Sequence, residues 1–385
     1  MQIRRSILPH AQFALRQYRA LCITGPRQSG KTTLARELFK DKPYVNFEHP
    51  GTQSAFDADP DGFIESYKSG AVFDEAQRVP LLFRYLQPVL DRNTRRGQFI
   101  LTGSNNFLLQ ENISQTLAGR AGYLNLLPLS LEELQTAEKM KRLPADHIFR
   151  GGYPELWDQG IDPGSWMKSY LQTYVERDVR QLKNISNLSA FNRFLHLCAG
   201  YAGQLLNRDE LAKMTGVDNK TIQSWIGVLE SSYIVFLLQP WHKNLQKRTI
   251  KSPKLYFCDT GLLCSLLGLS SSRAVQQYQG YGALFENWVM AEIRKNMFNR
   301  GGLESMHFLR DSAGNEIDLI LEKDGEPLAI EIKSSATEAN RIPRSLLYWQ
   351  KHFPDKNGLL IHGGSSSHEF STAMGSIGWK EVGEV

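Results

Sequence analysis

The chain has 385 residues, 41% of them hydrophobic, enough for two or three domains with real cores. Its 45 lysines and arginines against 40 acidic residues leave a net charge of +5. That is too small an excess to argue by itself for nucleic acid, and no segment approaches the ~18 consecutive apolar residues of a membrane helix. The four cysteines, Cys22, Cys198, Cys258 and Cys264, show no C-x-x-C pairing, which argues against a zinc site and predicts a reducing, cytoplasmic setting. Met1-Gln2-Ile3-Arg4-Arg5 is basic, but no apolar stretch comes after it. Gln12, Arg16, Gln17 and Arg19 interrupt the next residues, so no signal peptide is expected.

The first predicted element is a buried parallel strand at Leu21-Cys22-Ile23. It runs into Gly25-Pro26-Arg27-Gln28-Ser29-Gly30-Lys31-Thr32, a G-x-x-x-x-G-K-T sequence, and from Thr33 the spacing turns helical. A strand, a glycine loop and a helix start together make an anion site: backbone N–H groups turn inward and the helix N-terminus adds positive charge. All of these residues, Thr33 included, are assigned to ATP. Lys31 would reach the β- and γ-phosphates, and the Thr32 hydroxyl would ligate Mg²⁺. Next, Asp57-Ala58-Asp59-Pro60-Asp61-Gly62 mimics the start of a calcium loop. Its twelfth position is Lys68, so it reads as an acidic surface loop.

A second strand, Gly70-Ala71-Val72-Phe73, ends in Asp74-Glu75. Asp74 would complete the Mg²⁺ shell and Glu75 would polarise the attacking water. A third, Gln98-Phe99-Ile100-Leu101-Thr102, ends in Gly103-Ser104-Asn105-Asn106, which puts Ser104 or Asn105 at the strand tips where ligands of open α/β sheets collect.

The run of P-loop, Asp74-Glu75-Ala76-Gln77, Thr102-Gly103-Ser104, Gly119-Arg120 and Leu127-Pro128-Leu129-Ser130 resembles the prokaryotic AAA-superfamily ATPases. Specifically, it resembles the group whose ATPase core precedes a C-terminal domain of unknown function. The resemblance continues through Gly151-Gly152-Tyr153-Pro154, Tyr174-Val175-Glu176-Arg177-Asp178 and Phe285-Glu286. It implies a core of five parallel strands with helices on both faces. It also implies that Arg120 is an arginine finger or sensor arginine binding the nucleotide. A finger acting in trans would require a homo-oligomer.

Residues 131–187 read as a helical connector, with Trp166, Tyr170 and Tyr174 spaced as a helix–helix core stripe. Residues 207–229 then form a helix-turn-helix pattern around Gly216, succeeded by strand-like runs at 233–238 and 254–258. Between those runs lie Lys243, Lys247, Arg248 and Lys251 with no acid. Together they predict a winged helix with a basic wing, over residues 188–265, contacting DNA or RNA.

Near the C-terminus, Asn315-Glu316-Ile317-Asp318-Leu319-Ile320-Leu321 and Leu328-Ala329-Ile330-Glu331-Ile332-Lys333 read as a hairpin, with Glu331 and Lys333 on one face and Asp318 beside them. Two carboxylates flanking a lysine suit a divalent cation and an oriented water for phosphodiester attack. Asp, then Glu-x-Lys on the next strand, is similar to the PD-(D/E)XK nuclease fold, and Glu286 matches the helix glutamate that commonly opens that core. The similarity implies that Asp318 and Glu331 ligate Mg²⁺ or Mn²⁺, Glu286 supports them and Lys333 acts on the water or transition state. The whole is read as an α/β AAA-type P-loop core (1–130), a helical connector (131–187), a winged helix (188–265) and a nuclease-like α/β domain (266–385). The expected function is Mg²⁺-dependent ATP hydrolysis controlling a module that acts on nucleic acid. The alternative is a nucleotide-dependent switch for a protein partner, with an inactive nuclease-like scaffold.

Overall fold

The computed structural model describes residues 3–104, 116–173, 185, 187–241, 252–302, 305–323 and 325–385. Five short apolar runs form the first sheet: β1 (Ala20–Thr24), β2 (Tyr44–Asn46), β3 (Ala71–Asp74), β4 (Phe99–Gly103) and β5 (Ala121–Asn125). They pair in the order β2-β3-β4-β1-β5, every neighbour parallel. The continuous apolar character of these strands follows from burial on both faces. Cys22, Phe73, Phe99 and Leu101 point into one core, while Leu21, Ile23, Val72 and Ile100 point into another on the opposite face. The expected parallel α/β core is therefore present, with all five strand C-termini at one edge.

Residues 57–62 are not a loop. The helices Pro50–Ala58 and Pro60–Ser66 meet there, and Asp59 caps the second by accepting a hydrogen bond from Gly62 N–H at 2.9 Å. Proline at a helix start and an N-cap carboxylate explain the acidic Asp-Pro sequence without a metal.

After the core, the helices Leu131–Thr136, Pro144–Arg150, Pro154–Asp158 and Pro163–Tyr170 bury an aromatic cluster in which Trp166 stacks on Tyr170 at 5.2 Å. Tyr174, and with it residues 174–178, lies outside the described residues. The helices Leu188–Gly200, Arg208–Thr215 and Asn219–Ser231 come next, the turn between the last two closing on left-handed Gly216 and on Asp218, which caps the third helix. They lead into a hairpin of β6 (Val235–Pro240) and β7 (Lys254–Phe257). Lys243, Lys247, Arg248 and Lys251 of the expected wing lie outside the described residues.

The second sheet holds β8 (Met306–Arg310), β9 (Glu316–Lys323), β10 (Glu326–Lys333), β11 (Gly358–His362), β12 (His368–Ser371) and β13 (Met374–Gly378). Its order is β12-β13-β11-β10-β9-β8-β6-β7. The β8-β9-β10 meander is antiparallel, and the Arg344–His352 helix carries the chain across to β11, parallel to β10. β6 pairs parallel to β8, so this sheet runs continuously across residue 265. Packed against β7 and β10 is the Tyr281–Asn299 helix, buried around nearly its whole circumference. Its buried polar residues are tied to neighbours: Asn287 to the β7 backbone, Glu292 to Leu131 N–H and Lys295 to the Leu129 carbonyl, where the first sheet's domain ends. All four cysteines are buried free thiols. No helix among the described residues is long and apolar enough to cross a membrane.

Candidate nucleotide site and C-terminal carboxylate cluster

The C-terminal tips of β1, β3 and β4 converge on the glycine loop. Gly25 (φ +153°) has no room for a side chain, since a Cβ there would lie 2.1 Å from the Leu126 carbonyl oxygen. Lys31 opens the helix after the loop and is only 5% exposed. Its Nζ donates to the Gly25 and Pro26 carbonyls at 3.0 and 2.8 Å, folded back on the loop. Burial pushes this ammonium down to about 8, opposed chiefly by Glu75 and then Asp74.

Asp74 ends β3 and is nearly enclosed. One oxygen accepts from Thr32 Oγ1 at 2.8 Å and from Tyr44 OH at 2.5 Å, and the other from Thr102 Oγ1. The hydroxyl and carboxylate assigned to Mg²⁺ are thus already neighbours, a donor set of hard oxygens that fits the ion. Glu75 sits in the left-handed region (φ 53°), unusual for a residue with a side chain and a local cost of ~1 kcal/mol. That backbone is held where Thr102 Oγ1 accepts Glu75 N–H at 3.2 Å, and the Glu75 carboxylate accepts from Ser104 Oγ at 3.0 Å and Gln77 Nε2 at 2.5 Å. The structure therefore brings Gly25 to Thr32, Asp74, Glu75 and Ser104 together. Pro26 and Ser29 are buried within the loop, Gln28 is exposed on it, Thr33 is exposed on the helix that follows, and Arg27 lies 3.6 Å from Glu48. Asn105 lies outside the described residues.

Arg120 is not brought to this site within the chain. It precedes β5, and its carbonyl accepts Arg19 and Ala20 N–H at the start of β1, the edge of the sheet opposite the glycine loop. Its guanidinium grips the Asp91 carboxylate with two hydrogen bonds, at 2.5 and 3.0 Å, on the surface. The length of a five-residue strand separates it from the loop, roughly 17 Å.

Sequence reading missed Arg5, taken only as part of a basic N-terminus. Arg5 is 6% exposed and donates to the Ser29 carbonyl (2.6 Å), the Leu127 carbonyl (2.6 Å) and Glu133 Oε1 (2.9 Å). Glu133 also accepts Ser6 and Ser130 N–H at 2.7 and 2.9 Å. The Ser130-x-x-Glu133 capping box was the available signal. Tyr233 was also missed. Its backbone is left-handed (φ 57°), and its hydroxyl lies 2.7 Å from both Thr24 Oγ1 and Asn125 Oδ1, at the base of the glycine loop.

At the other end, β9 and β10 place Asp318 and Glu331 on adjacent strands beside the helix carrying Glu286. Asp318 Oδ2 accepts Ile332 N–H at 2.9 Å, and Lys333 Nζ donates to Glu331 Oε1 at 2.6 Å. Glu331 Oε2 is buried with the Ser345 hydroxyl beside it. Burial, then the nearby Asp318 charge, pushes both Glu286 and Glu331 up to about 7. Two residues of β7 enter from outside the expected domain: Tyr256 OH donates to Glu286 Oε1 at 2.6 Å, and Lys254 Nζ lies 3.5 Å from the same oxygen. Among the described residues no group of three or more His, Cys, Asp or Glu is arranged to hold a metal ion. Glu286 thus faces a lysine and a tyrosine instead of completing a three-acid metal group. Asp318 and Glu331 are carboxylates on adjacent strands, hard oxygen donors of the kind a divalent cation takes.

The Gly151-Gly152-Tyr153-Pro154 motif has a packing role. Gly151 is left-handed (φ +69°), a Cβ there would sit 2.3 Å from Asp259 Oδ1, and Asp259 Oδ2 accepts Gly152 N–H at 2.7 Å.

Residues 17–135 match the AAA domain family, 141–273 a domain of unknown function (DUF8612) and 281–379 a second one (DUF4143). The uncharacterized proteins Rv2008c of Mycobacterium tuberculosis and Mb2031c of Mycobacterium bovis are each 32% identical over 350 residues, covering 89% of this chain and 77% of theirs. The uncharacterized protein MJ1544 of Methanocaldococcus jannaschii is 24% identical, over 86% of this chain and 78% of its own. Among solved structures, the Walker-type ATPase PABY2304 of Pyrococcus abyssi aligns with a TM-score of 0.46 at 17% identity, over 69% of this chain and 98% of that one. The chain belongs to the family of these mycobacterial proteins, and in it an AAA-type ATPase core leads two domains of unknown function.

Proposed function

We propose that the chain is a Mg²⁺-dependent ATPase whose nucleotide state governs a C-terminal module that binds and cuts nucleic acid. Lys31 would leave the Gly25 and Pro26 carbonyls for the phosphates, and Thr32 and Asp74 would hold Mg²⁺, which neutralises phosphate charge when bound. Glu75, oriented by Ser104 and Gln77, would take the proton of the attacking water. The fixed donors around Glu75 keep that carboxylate aimed, which supports the role of base.

One observation supports control of the second site by the first: two sets of buried polar contacts, on either side of residues 127–133, tie the glycine loop to the helix that carries Glu286. Arg5 joins the Ser29 carbonyl of the loop to Leu127 and Glu133. Leu131 N–H then donates to Glu292 at 2.6 Å, and Lys295 bridges Glu292 (2.8 Å) and the Leu129 carbonyl (3.0 Å). Glu292 and Lys295 lie on the same helix as Glu286, with Glu292 roughly 9 Å from it along the axis at ~1.5 Å per residue. A rigid helix grounded at one end in the ATPase core and carrying a site residue at the other is the kind of element both sites could bias.

The test is incubation of the full chain with plasmid DNA or RNA plus Mg²⁺ or Mn²⁺, with and without ATP, beside Asp318→Ala. Cleavage that depends on ATP and is lost in Asp318→Ala is expected. Cleavage unchanged by that substitution removes the proposed site. A second reading, a nucleotide switch docking a protein partner on an inactive scaffold, is favoured by the cations already engaging Glu286 and Glu331. Absence of any cleavage, with ATP turnover intact, would select it.

A further inference from the structure

We propose that Lys254 is the built-in cation of the C-terminal cluster: its ammonium takes the place of a metal ion between Glu286 and Glu316, leaving only the Asp318–Glu331 edge open to a divalent cation. The second clause rests on the proposed metal site at Asp318 and Glu331; the first does not. Lys254 opens β7, in the hairpin after the helix-turn-helix, whereas the four acids lie on the Tyr281–Asn299 helix, β9 and β10. Its Nζ makes an ion pair with Glu316 at 2.5 Å and lies 3.5 Å from Glu286.

At 3% exposure this ammonium cannot touch a nucleic-acid phosphate or a solvent-borne substrate. Its surroundings are those of an enclosed ion. Tyr256 OH closes the Glu286 side, Arg310 Nη1 pairs with the second Glu316 oxygen at 3.2 Å, and the Phe308 ring lies 5.6 Å away. Burying several carboxylates without a countercharge is costly, so some cation must sit among them, and a lysine carried on a sheet strand supplies one permanently. Lys333, by contrast, is partly exposed and engages Glu331, whereas Lys254 is enclosed with Glu286 and Glu316. The cluster therefore has an inner, protein-supplied cation and an outer edge, and the inner cation comes from a part of the chain outside the C-terminal segment.

The experiment uses the full nucleotide-free chain in a Thr32→Ala, Asp74→Asn background, which removes both proposed metal donors of the ATP site. Melting temperature is read with and without Mn²⁺ for the parent, Lys254→Met, Glu316→Gln and the double variant. Lys254→Met is expected to melt lower, and Mn²⁺ to raise its melting point by about 3 °C or more beyond any shift in the parent. The double variant, with one uncompensated charge removed, is expected to be more stable than Lys254→Met alone, even if the single variant does not fold without metal. If the losses of Lys254→Met and Glu316→Gln simply add, or Mn²⁺ leaves the single variant unmoved, Lys254 is not a counter-ion and the inference is overturned. Asp318→Asn separates the two ideas: if Mn²⁺ binding by the parent is indifferent to it, the metal reading of the outer edge fails, while the cycle with Glu316 still decides the role of Lys254.

Discussion

Replacing Arg5 by alanine probes the nucleotide site from behind. The substitution removes a guanidinium that holds three acceptors on three segments: Ser29 of the glycine loop, Leu127 and Glu133. Breaking a buried ion pair by deleting one partner costs about 3–5 kcal/mol. Glu133 keeps its bonds from Ser6 and Ser130 N–H, which favours the lower end, about 3 kcal/mol. The carbonyls of Ser29 and Leu127 also lose charge-assisted donors, so the loop backbone is freed as well as destabilised. Chemical denaturation of the full chain should show the stability loss, and calorimetric titration should show ATP affinity falling by about tenfold, equivalent to about 1.4 kcal/mol. Arg5→Lys should recover little, because one ammonium cannot reproduce a planar fork with donors on three sides. A stability loss below about 1 kcal/mol with unchanged ATP affinity would refute the reasoning, since it would mean the loop is held by its own turn geometry.

Two further predictions concern other parts of the molecule. Lys31→Ala should lose nucleotide binding, whereas Glu75→Gln should bind ATP like the parent and lose turnover by about 10²–10⁴-fold. Phosphate release measured under saturating ATP decides this, and equal hydrolysis by Glu75→Gln removes it from the role of base. His147 is packed between Trp157, Trp288 and Trp379, and its Nε2 accepts Lys141 N–H at 3.0 Å. Burial lowers its pKa from 6.5 to about 4. Because the unfolded chain binds this proton more readily, the neutral-histidine contribution is full above about pH 6.5 and lost as pH falls toward about 4, by about 3 kcal/mol. Unfolding free energies across that range should slope downward with acid, and His147→Gln should flatten the slope. An unchanged slope would show that other groups set the acid response.

Sequence alone determined the ATPase core, because its signals are local. The glycine loop, Asp74-Glu75 and the tip at Ser104 each lie at the end of a short apolar run, and parallel strands put all such ends at one edge. The hairpin of Asp318, Glu331 and Lys333 was readable for the same reason, since strand alternation fixes which side chains share a face. Tertiary structure decided what lies behind and between these motifs. Arg5 meets Glu133 across 128 positions, Tyr233 reaches Thr24 across 209, and Lys254 completes a cluster whose acids come from a later helix and hairpin. Such pairings carry no periodicity, because a buried charge seeks whatever countercharge the fold brings near, from any distance along the chain. Arg120 shows the converse: the family resemblance assigns it to the phosphates, and the parallel register of β1 and β5 places it, within its own chain, at the far end of its strand.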